Sequence, residues 1–264
     1  MTSDKRASEM PADLPGDVSD RGKVIIVMPA YNAALTLEDT YREIPAGSYD
    51  GIVLVDDASS DDTVRIAREL NLMVEVHPVN KGYGGNQKTC YARALREGAD
   101  IVVMLHPDNQ YDPSIVPALV APIACGEADV VLASRMLGSP LKGGMPLYKF
   151  IANKALTAIE NAVLGTRLSE FHTGYRAFSR KALQGANWFA NSNDFVFDNE
   201  ILVQLALKKM SFKEIPVTTR YAHDSSSVGF WRSCVYGLGI LKTLAKYLLH
   251  MKGIRHDSLF NGNE

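Results

Sequence analysis

From Lys23 onward the chain repeats one pattern: a short run of β-branched and aliphatic residues, then a stretch with helical spacing. Val24–Met28 (VIIVM), Gly51–Val55 (GIVLV), Met73–Val76 (MVEV), Ile101–Leu105 (IVVML) and Asp129–Ala133 (DVVLA) begin 22 to 28 residues apart. That spacing leaves room for a crossover helix after each strand, which parallel strands require. Runs this apolar predict strands covered on both faces, forming the centre of one twisted sheet. The fold class expected is α/β, a single domain with a mostly parallel central sheet.

Between the second and third runs, Ser59 and Ser60 are placed to cap a helix with Asp61 and Asp62 in its first turn and Val64, Ile66, Ala67 and Leu70 as its buried stripe. Gln87–Glu97 reads the same way, with Cys90, Tyr91, Ala94 and Leu95 at helical spacing. After Ser134 the alternation breaks down. A long helix is expected over Leu147–Leu164, a strand in Tyr175–Ser179, a helix around Asp198–Lys209 and a strand near Lys213–Thr219. No Pro- or Gly-rich linker sets this part off, so it is expected to complete the same domain. The final stretch, Phe230–Lys252, puts Trp231, Val235, Leu238, Leu241, Leu244, Leu248 and Met251 on one side and Lys242, Lys246 and His250 on another. Such an amphipathic helix suits an anionic membrane surface, its own domain or a twin subunit.

Composition narrows the functions. Lys plus Arg number 28 and Asp plus Glu 30, a net charge of −2, so no global basic field exists to hold nucleic acid. The longest stretches free of Asp, Glu, Lys and Arg span 14 residues, short of the roughly 18 to 20 that a membrane-spanning helix needs. Three cysteines in apolar surroundings read as reduced thiols in a cytoplasmic compartment. The opening residues, MTSDKRASEMPADLPGDVSDRG, lack the apolar stretch of a secretory signal and predict a disordered tail over residues 1–22.

In open α/β sheets ligands sit outside the carboxyl ends of the strands. The residues that follow the runs here are Pro29-Ala30-Tyr31-Asn32, Asp56-Asp57-Ala58-Ser59, His77 through Gly85, His106-Pro107-Asp108-Asn109-Gln110, and Ser134-Arg135. Neither G-x-G-x-x-G nor G-x-x-x-x-G-K-[ST] follows the first run, which argues against dinucleotide and ATP chemistry. Gly82-Tyr83-Gly84-Gly85, after the third, reads equally as a turn into a helix.

Taken in order, VIIVMPAYN, VLVDDASSDDT, NKGYGGNQKTCYARAL, MLHPDNQYDP, ASR and FHTGYRAFSR resemble the inverting family 2 glycosyltransferases of GT-A (Rossmann-like) fold. Within that family the likeness is to dolichol-phosphate mannose synthase-like and bacterial polyprenyl-phosphate glycosyltransferases. It covers roughly residues 23–225, leaving 226–264 as the C-terminal helix and tail. The resemblance implies metal-dependent transfer of a sugar from a UDP- or GDP-linked donor to a polyprenyl (dolichyl or undecaprenyl) phosphate. The alternatives are transfer to a soluble sugar or alcohol, and nucleotide-sugar binding without turnover.

Carried over residue by residue, the resemblance gives Pro29, Tyr31 and Lys81 to the nucleotide sugar. Asp57 accepts from the base while Asp56 supports the turn; the plainer reading is that both cap the next helix. The family's metal motif has two acids separated by one residue, whereas here the first acid is His106. Asp108 and Gln110 are then the ligands of Mg²⁺ or Mn²⁺, and His106 a third or merely a hydrogen-bonding neighbour. Three arginines follow: Arg135 and Arg220 as catalytic cations, and Arg135 with Arg176 for the acceptor phosphate, since a guanidinium pairs bidentately with phosphate. An alcohol acceptor needs a base, for which Asp198 and Glu200 are the candidates; a lipid phosphate is already anionic and needs cations instead. The same reading gives a peripheral position on the cytoplasmic membrane face and leaves a homo-oligomer open.

Overall fold

The computed structural model describes residues 21–219 and 230–261. The expected tail over 1–22 falls almost wholly outside them, and so does Arg220. In chain order the elements are β1 (Val24–Ala30), α1 (Leu37–Arg42), β2 (Gly51–Asp56), α2 (Thr63–Glu69), β3 (Met73–Val76), α3 (Tyr83–Arg96), β4 (Ile101–Met104), α4 (Val116–Ala124) and β5 (Val130–Ser134). There follow α5 (Leu147–Leu164), β6 (Arg176–Ser179), α6 (Arg180–Gly185), α7 (Phe197–Leu207), β7 (Phe212–Pro216) and α8 (Phe230–Met251).

The strands form a seven-stranded sheet in the order β3-β2-β1-β4-β6-β5-β7. All neighbours pair in parallel except β6, which runs antiparallel to both β4 and β5. The register brings Ala30 level with Asp56 and Val27 with Met104, so the carboxyl ends of β1, β2 and β4 share one edge. Because β6 is reversed, it is its amino end, Arg176, that lies on that edge, and the preceding Thr173-Gly174-Tyr175 enters there too. The strand order reverses between β1 and β4, the place where such sheets hold their ligands.

Alternation along β1 builds two layers. Val24, Ile26 and Met28 pack with Leu37, Ala67 and Leu119 on one face, while Ile25 and Val27 pack with Tyr91, Phe178 and Ile201 on the other. Apolar burial of this extent on both faces is the main stabilising term of the sheet. Helix α7 is buried from Phe197 to Leu205, its polar residues Asp198, Asn199, Glu200 and Gln204 included, because it lies between the sheet and α8.

Four expectations are corrected. β3 is not central: it is the edge strand, and its residues are half-buried or exposed because no further strand covers it. Ser59 and Ser60 do not cap α2, which starts at Thr63 without a side-chain cap, because these serines are bonded to the loop after β1. Helix α3 starts at Tyr83, earlier than expected. Gly82 turns into it with φ of +82°, and Gly84 lets α3 approach the Ser192 carbonyl so closely that a Cβ would lie 2.5 Å from it. The stripe expected on α8 is split as well. Ile240, Thr243 and Leu244 face inward, whereas Trp231, Val235, Leu238, Leu241, Leu248 and Met251 are exposed. No helix among the described residues is long and apolar enough to cross a membrane.

Candidate active site

The loops after β1 and β2 are tied together by hydrogen bonds. Asn32, at φ of +52°, accepts from the Ser60 N–H through Oδ1 (2.9 Å) and donates its own N–H to Ser59 Oγ (2.8 Å). Ala33 N–H donates to Thr63 Oγ1 and Ala34 N–H to Asp61 Oδ2. Pro29 lies buried within β1, and Tyr31 stands 58% exposed at the mouth of this double loop. An exposed ring on a rigid loop is a stacking surface for a planar ligand.

The two acids ending β2 have different surroundings. Asp57 is buried, and both its oxygens are engaged: Oδ1 accepts from His77 Nδ1 (2.7 Å) and Lys81 N–H (2.8 Å), Oδ2 from Gly82 N–H (3.0 Å). His77 is held in turn by Thr89 Oγ1 at 2.8 Å from Nε2. Asp56 accepts from Ser59 N–H through Oδ2, and its Oδ1 is buried with no partner. Both Asp57 oxygens are thus engaged in holding the turn that was expected of Asp56, and Asp56 keeps one buried oxygen without a partner. Lys81 takes part through its main chain; its exposed side chain borders a separate hollow with Glu75, Lys88, Arg96 and Phe189.

At the end of β4 the His106 ring lies parallel to Tyr83, with centroids 5.5 Å apart and 4° between planes. Gly174 backs the ring: a Cβ there would sit 2.9 Å from His106 Cε1. Tyr83 is fixed by donating to Asp198 Oδ2 at 2.7 Å. His106 Nε2 is buried without a hydrogen-bond partner. Two residues on, Asp108 accepts from Gln110 N–H (3.1 Å), and burial raises its carboxyl above the ordinary aspartate value, an effect that His106 partly offsets. Asn109 adopts φ of +56° between them, and Thr36 Oγ1 donates to the Pro107 carbonyl at 2.5 Å. An orphaned imidazole nitrogen beside a carboxylate fits a divalent cation whose remaining ligands are phosphate and water oxygens. No group of three or more His, Cys, Asp and Glu among the described residues could hold such an ion by itself.

The arginines separate. Arg135, just beyond β5, is clamped to Glu170: its Nε donates to Oε1 (2.8 Å), its main-chain N–H to Oε2 (2.7 Å), and Nη2 pairs with the same carboxylate and with the His172 carbonyl (2.7 Å). Burial alone would raise the Glu170 carboxyl, but the Arg135 charge and the hydrogen bonds from Arg135 and Asn153 bring it below the ordinary glutamate value. Arg176 is fully buried and donates to the carbonyls of Thr173 (2.6 Å) and Asp198 (2.8 Å). It fixes β6 to α7 and does not face an acceptor, which corrects the expectation for this residue. Asp198 and Glu200 are engaged too. Asp198 accepts from Tyr83 and Gln87, and Glu200 from Ser192 N–H at 2.6 Å.

Reading the sequence assigned no role to His77, Tyr83, Glu170 or Gly174. His77 and Tyr83 lay in the segment flagged after the third run and Gly174 within a quoted motif, but the Asp57 partner of His77 lies 20 residues away; Glu170 carried a signal only as an acid directly before the Phe171-His172 motif.

Residues 25–185 match the family described as "Glycosyl transferase family 2". Among curated relatives, the UDP-N-acetylglucosamine–dolichyl-phosphate N-acetylglucosaminyltransferase of Methanococcus voltae is 28% identical over 223 residues, covering 78% of this chain and 89% of that protein. The undecaprenyl-phosphate mannosyltransferase of Micrococcus luteus is 25% identical over 203 residues, covering 74% and 83%. Among solved structures, glucosyl-3-phosphoglycerate synthase from Mycobacterium tuberculosis, in complex with Mn²⁺, UDP and glucosyl-3-phosphoglycerate, superposes with a TM-score of 0.65 at 19% identity, covering 96% of this chain and 88% of that one. That likeness is one of fold.

Proposed function

The chain belongs to glycosyl transferase family 2 and is a glycosyltransferase; from that premise we propose that it moves a sugar, with inversion, from a nucleotide sugar to a polyprenyl phosphate. The observation that carries the acceptor class is the state of the two best-placed bases. Asp198 and Glu200 are both buried and bonded within the protein, so neither is free to take a proton from an alcohol. A phosphate acceptor brings its own negative charge and requires only to be held. The relatives that act on dolichyl and undecaprenyl phosphates support the same class.

In this reading Tyr31 stacks on the base, Pro29 shapes the floor, and the free oxygen of Asp56 accepts from a base N–H. His106 and Asp108, with Gln110, hold Mg²⁺ or Mn²⁺, which when bound offsets the charge of the departing diphosphate. Arg135, kept in place by Glu170, attracts the acceptor phosphate to the sugar. An acceptor phosphate oxygen forms a bond to the anomeric carbon as the bond to the diphosphate breaks on the opposite face. The nucleoside diphosphate then leaves. Arg220 is proposed as a second cation. Residues 23–225 are the catalytic domain, and 226–264 form a peripheral membrane element on the cytoplasmic side.

A second reading, a water-soluble phosphorylated acceptor, is favoured by the fold neighbour in complex with a glucosylated phosphoglycerate. Incubating the full chain with UDP- and GDP-sugars, Mn²⁺ and either undecaprenyl phosphate in detergent or soluble phosphates separates the two. Lipid-linked sugar is the expected product; sugar on soluble phosphates alone overturns the first reading. Asp108→Ala is expected to lower turnover by about 100-fold or more, the loss of several kcal/mol of transition-state charge stabilisation. Its fold should persist, since among the described residues the carboxylate's hydrogen bonds come from the main chain of its own turn. An unchanged rate removes Asp108 from the site.

A further inference from the structure

An open hollow of about 490 Å³ runs along helix α3 beside the uncovered edge strand β3. Gly85, Lys88, Ala92 and Arg96 follow one another at three- and four-residue spacing, so they share one face of the helix and line the hollow together. Its volume falls within the roughly 300 to 1,000 Å³ of small-ligand sites.

The hollow carries an excess of positive charge. Lys81, Lys88 and Arg96 border it against one acid, Glu75, and that carboxylate is already shared between Arg96 (3.2 Å) and Arg93 (3.7 Å). Among the described residues neither lysine forms an ion pair. Lys88 Nζ donates to neutral oxygens, the Asn191 carbonyl (2.5 Å) and Asn193 Oδ1 (2.8 Å). Burial lowers its pKa below the ordinary lysine value, and the charge of Glu200 offsets this only in part. An anion entering the hollow would favour the charged amine. Gly85 leaves room for the Lys81 stem, since a Cβ there would sit 2.9 Å from Lys81 Cβ.

Phe189 adds a flat apolar wall. It is 62% exposed, yet its ring stacks on buried Trp188 with centroids 3.9 Å apart, and Trp188 donates from Nε1 to the Leu183 carbonyl (2.8 Å). The segment that follows is also fixed, because the Asn193 carbonyl accepts from Gly84 N–H at 2.9 Å. A chain of hydrogen bonds joins the hollow to the turn on which the donor is proposed to rest: Thr89, on its lining, pairs with His77 Nε2, and His77 Nδ1 pairs with Asp57.

We propose that this hollow is a second ligand site, separate from donor and acceptor, for a small phosphorylated compound with a flat ring, the phosphate pairing with Lys81 and Lys88 and the ring lying on Phe189. A bare phosphate would leave the exposed face of Phe189 in water. An uncharged ring would leave both lysines without a counter-charge. The hollow offers the two features side by side, on surfaces already held in place.

The test is labelling of the full chain with pyridoxal 5′-phosphate, a ring that carries both a phosphate and an aldehyde. A neutral lysine amine condenses with the aldehyde to an imine with loss of water, and borohydride delivers hydride to the imine carbon to leave a stable secondary amine, which is mapped by mass spectrometry. The expected result is saturable label on Lys88 or Lys81 ahead of the exposed Lys142 and Lys181. Phenyl phosphate should suppress it, inorganic phosphate much less, and UDP with Mn²⁺ not at all. Phe189→Ser is expected to lower the label about fivefold, the loss of one ring contact, with UDP binding by calorimetry and the thermal midpoint unchanged. Label that does not saturate, or that follows exposure alone, overturns the site. Suppression by UDP with Mn²⁺ gives the hollow to the donor and overturns a second site. Equal suppression by inorganic phosphate, or unchanged label in Phe189→Ser, overturns the ring-bearing ligand. None of these outcomes depends on which acceptor takes the sugar.

Discussion

Asp56 and Asp57 show how neighbouring residues of one type come to have different surroundings. Asp57 accepts three hydrogen bonds, from His77, Lys81 and Gly82, and so holds the chain after β3 to the end of β2. Asp56 leaves one buried oxygen open. Asp57→Asn is therefore expected to destabilise the fold by about 1.5–3 kcal/mol, the range for hydrogen bonds to a charged group. Asp56→Asn should leave the denaturation midpoint nearly unchanged and weaken nucleotide binding in a titration. The opposite pattern would restore the roles expected from the sequence. Glu170 gives a prediction in pH. Its carboxyl is held below the ordinary value in the folded chain, so its stabilising contribution is complete at neutral pH and is lost as the pH falls through the lowered folded value. Glu170→Gln, which removes the carboxylate charge facing Arg135, is expected to cost on the order of 3 kcal/mol at neutral pH. The gap from the native chain, measured by urea denaturation from pH 7 down to about pH 3, should narrow on acidification. A gap independent of pH would show that the ion pair is not its source.

At the scale of elements, two glycines decide how closely segments meet. A Cβ on Gly84 would lie 2.5 Å from the Ser192 carbonyl and 2.8 Å from Phe197 Cβ, with backbone on one side that cannot swing away. Gly84→Ala is expected to cost roughly 1–3 kcal/mol by overpacking the α3–α7 contact. Gly174→Ala meets a side chain instead, His106 at 2.9 Å, so its expected effect is on turnover and on Mn²⁺ affinity, with little change in thermal midpoint. A thermal loss equal to that of Gly84→Ala would place the constraint in the backbone and not in the His106 ring. These elements also show what could be read in advance. β1, β2, β4 and β5 were legible because buried parallel strands must be apolar throughout, and helix α5 was legible from its 3.6-residue spacing. The edge position of β3, the loss of the Ser59 cap and the burial of Arg176 were not. Each depends on which distant segment arrives as a neighbour: nothing beyond β3, the Asn32 loop against Ser59, and α7 over Arg176. The motifs located the site because strand ends are local features. The assignment of each oxygen and nitrogen within it is a long-range one.

Over the whole molecule, the exposed apolar side chains of α8 and the proposed acceptor class would suit the same partner. Trp231, Val235, Leu238 and Met251 are each more than half exposed on a helix without a single acid, and the exposed Arg232 and Lys242 belong to the same helix, whereas Lys246 is paired with Asp257 at 3.3 Å. Such a surface is costly in water and favourable at an anionic bilayer, where each basic side chain near the surface contributes about 1 kcal/mol. The helix is also joined to the site. Tyr236 hydrogen-bonds with His172 Nδ1 at 3.2 Å, and the His172 carbonyl accepts from Arg135. An enzyme that takes its acceptor from a membrane would gain from this arrangement, since one face would dock while the arginine stays within reach of the lipid phosphate. The full chain is accordingly expected to sediment with phosphatidylglycerol vesicles at low salt. Binding should weaken as salt shortens the screening length from about 10 Å at 0.1 M to about 3 Å at 1 M. Leu238→Asp should reduce it further, because an exposed position can change without disturbing the Ile240 and Leu244 contacts that hold α8 to the domain. Its secondary structure by circular dichroism should remain that of the native chain. Equal sedimentation of the native and Leu238→Asp proteins, or none by either, would assign the exposed face of α8 to some contact other than lipid.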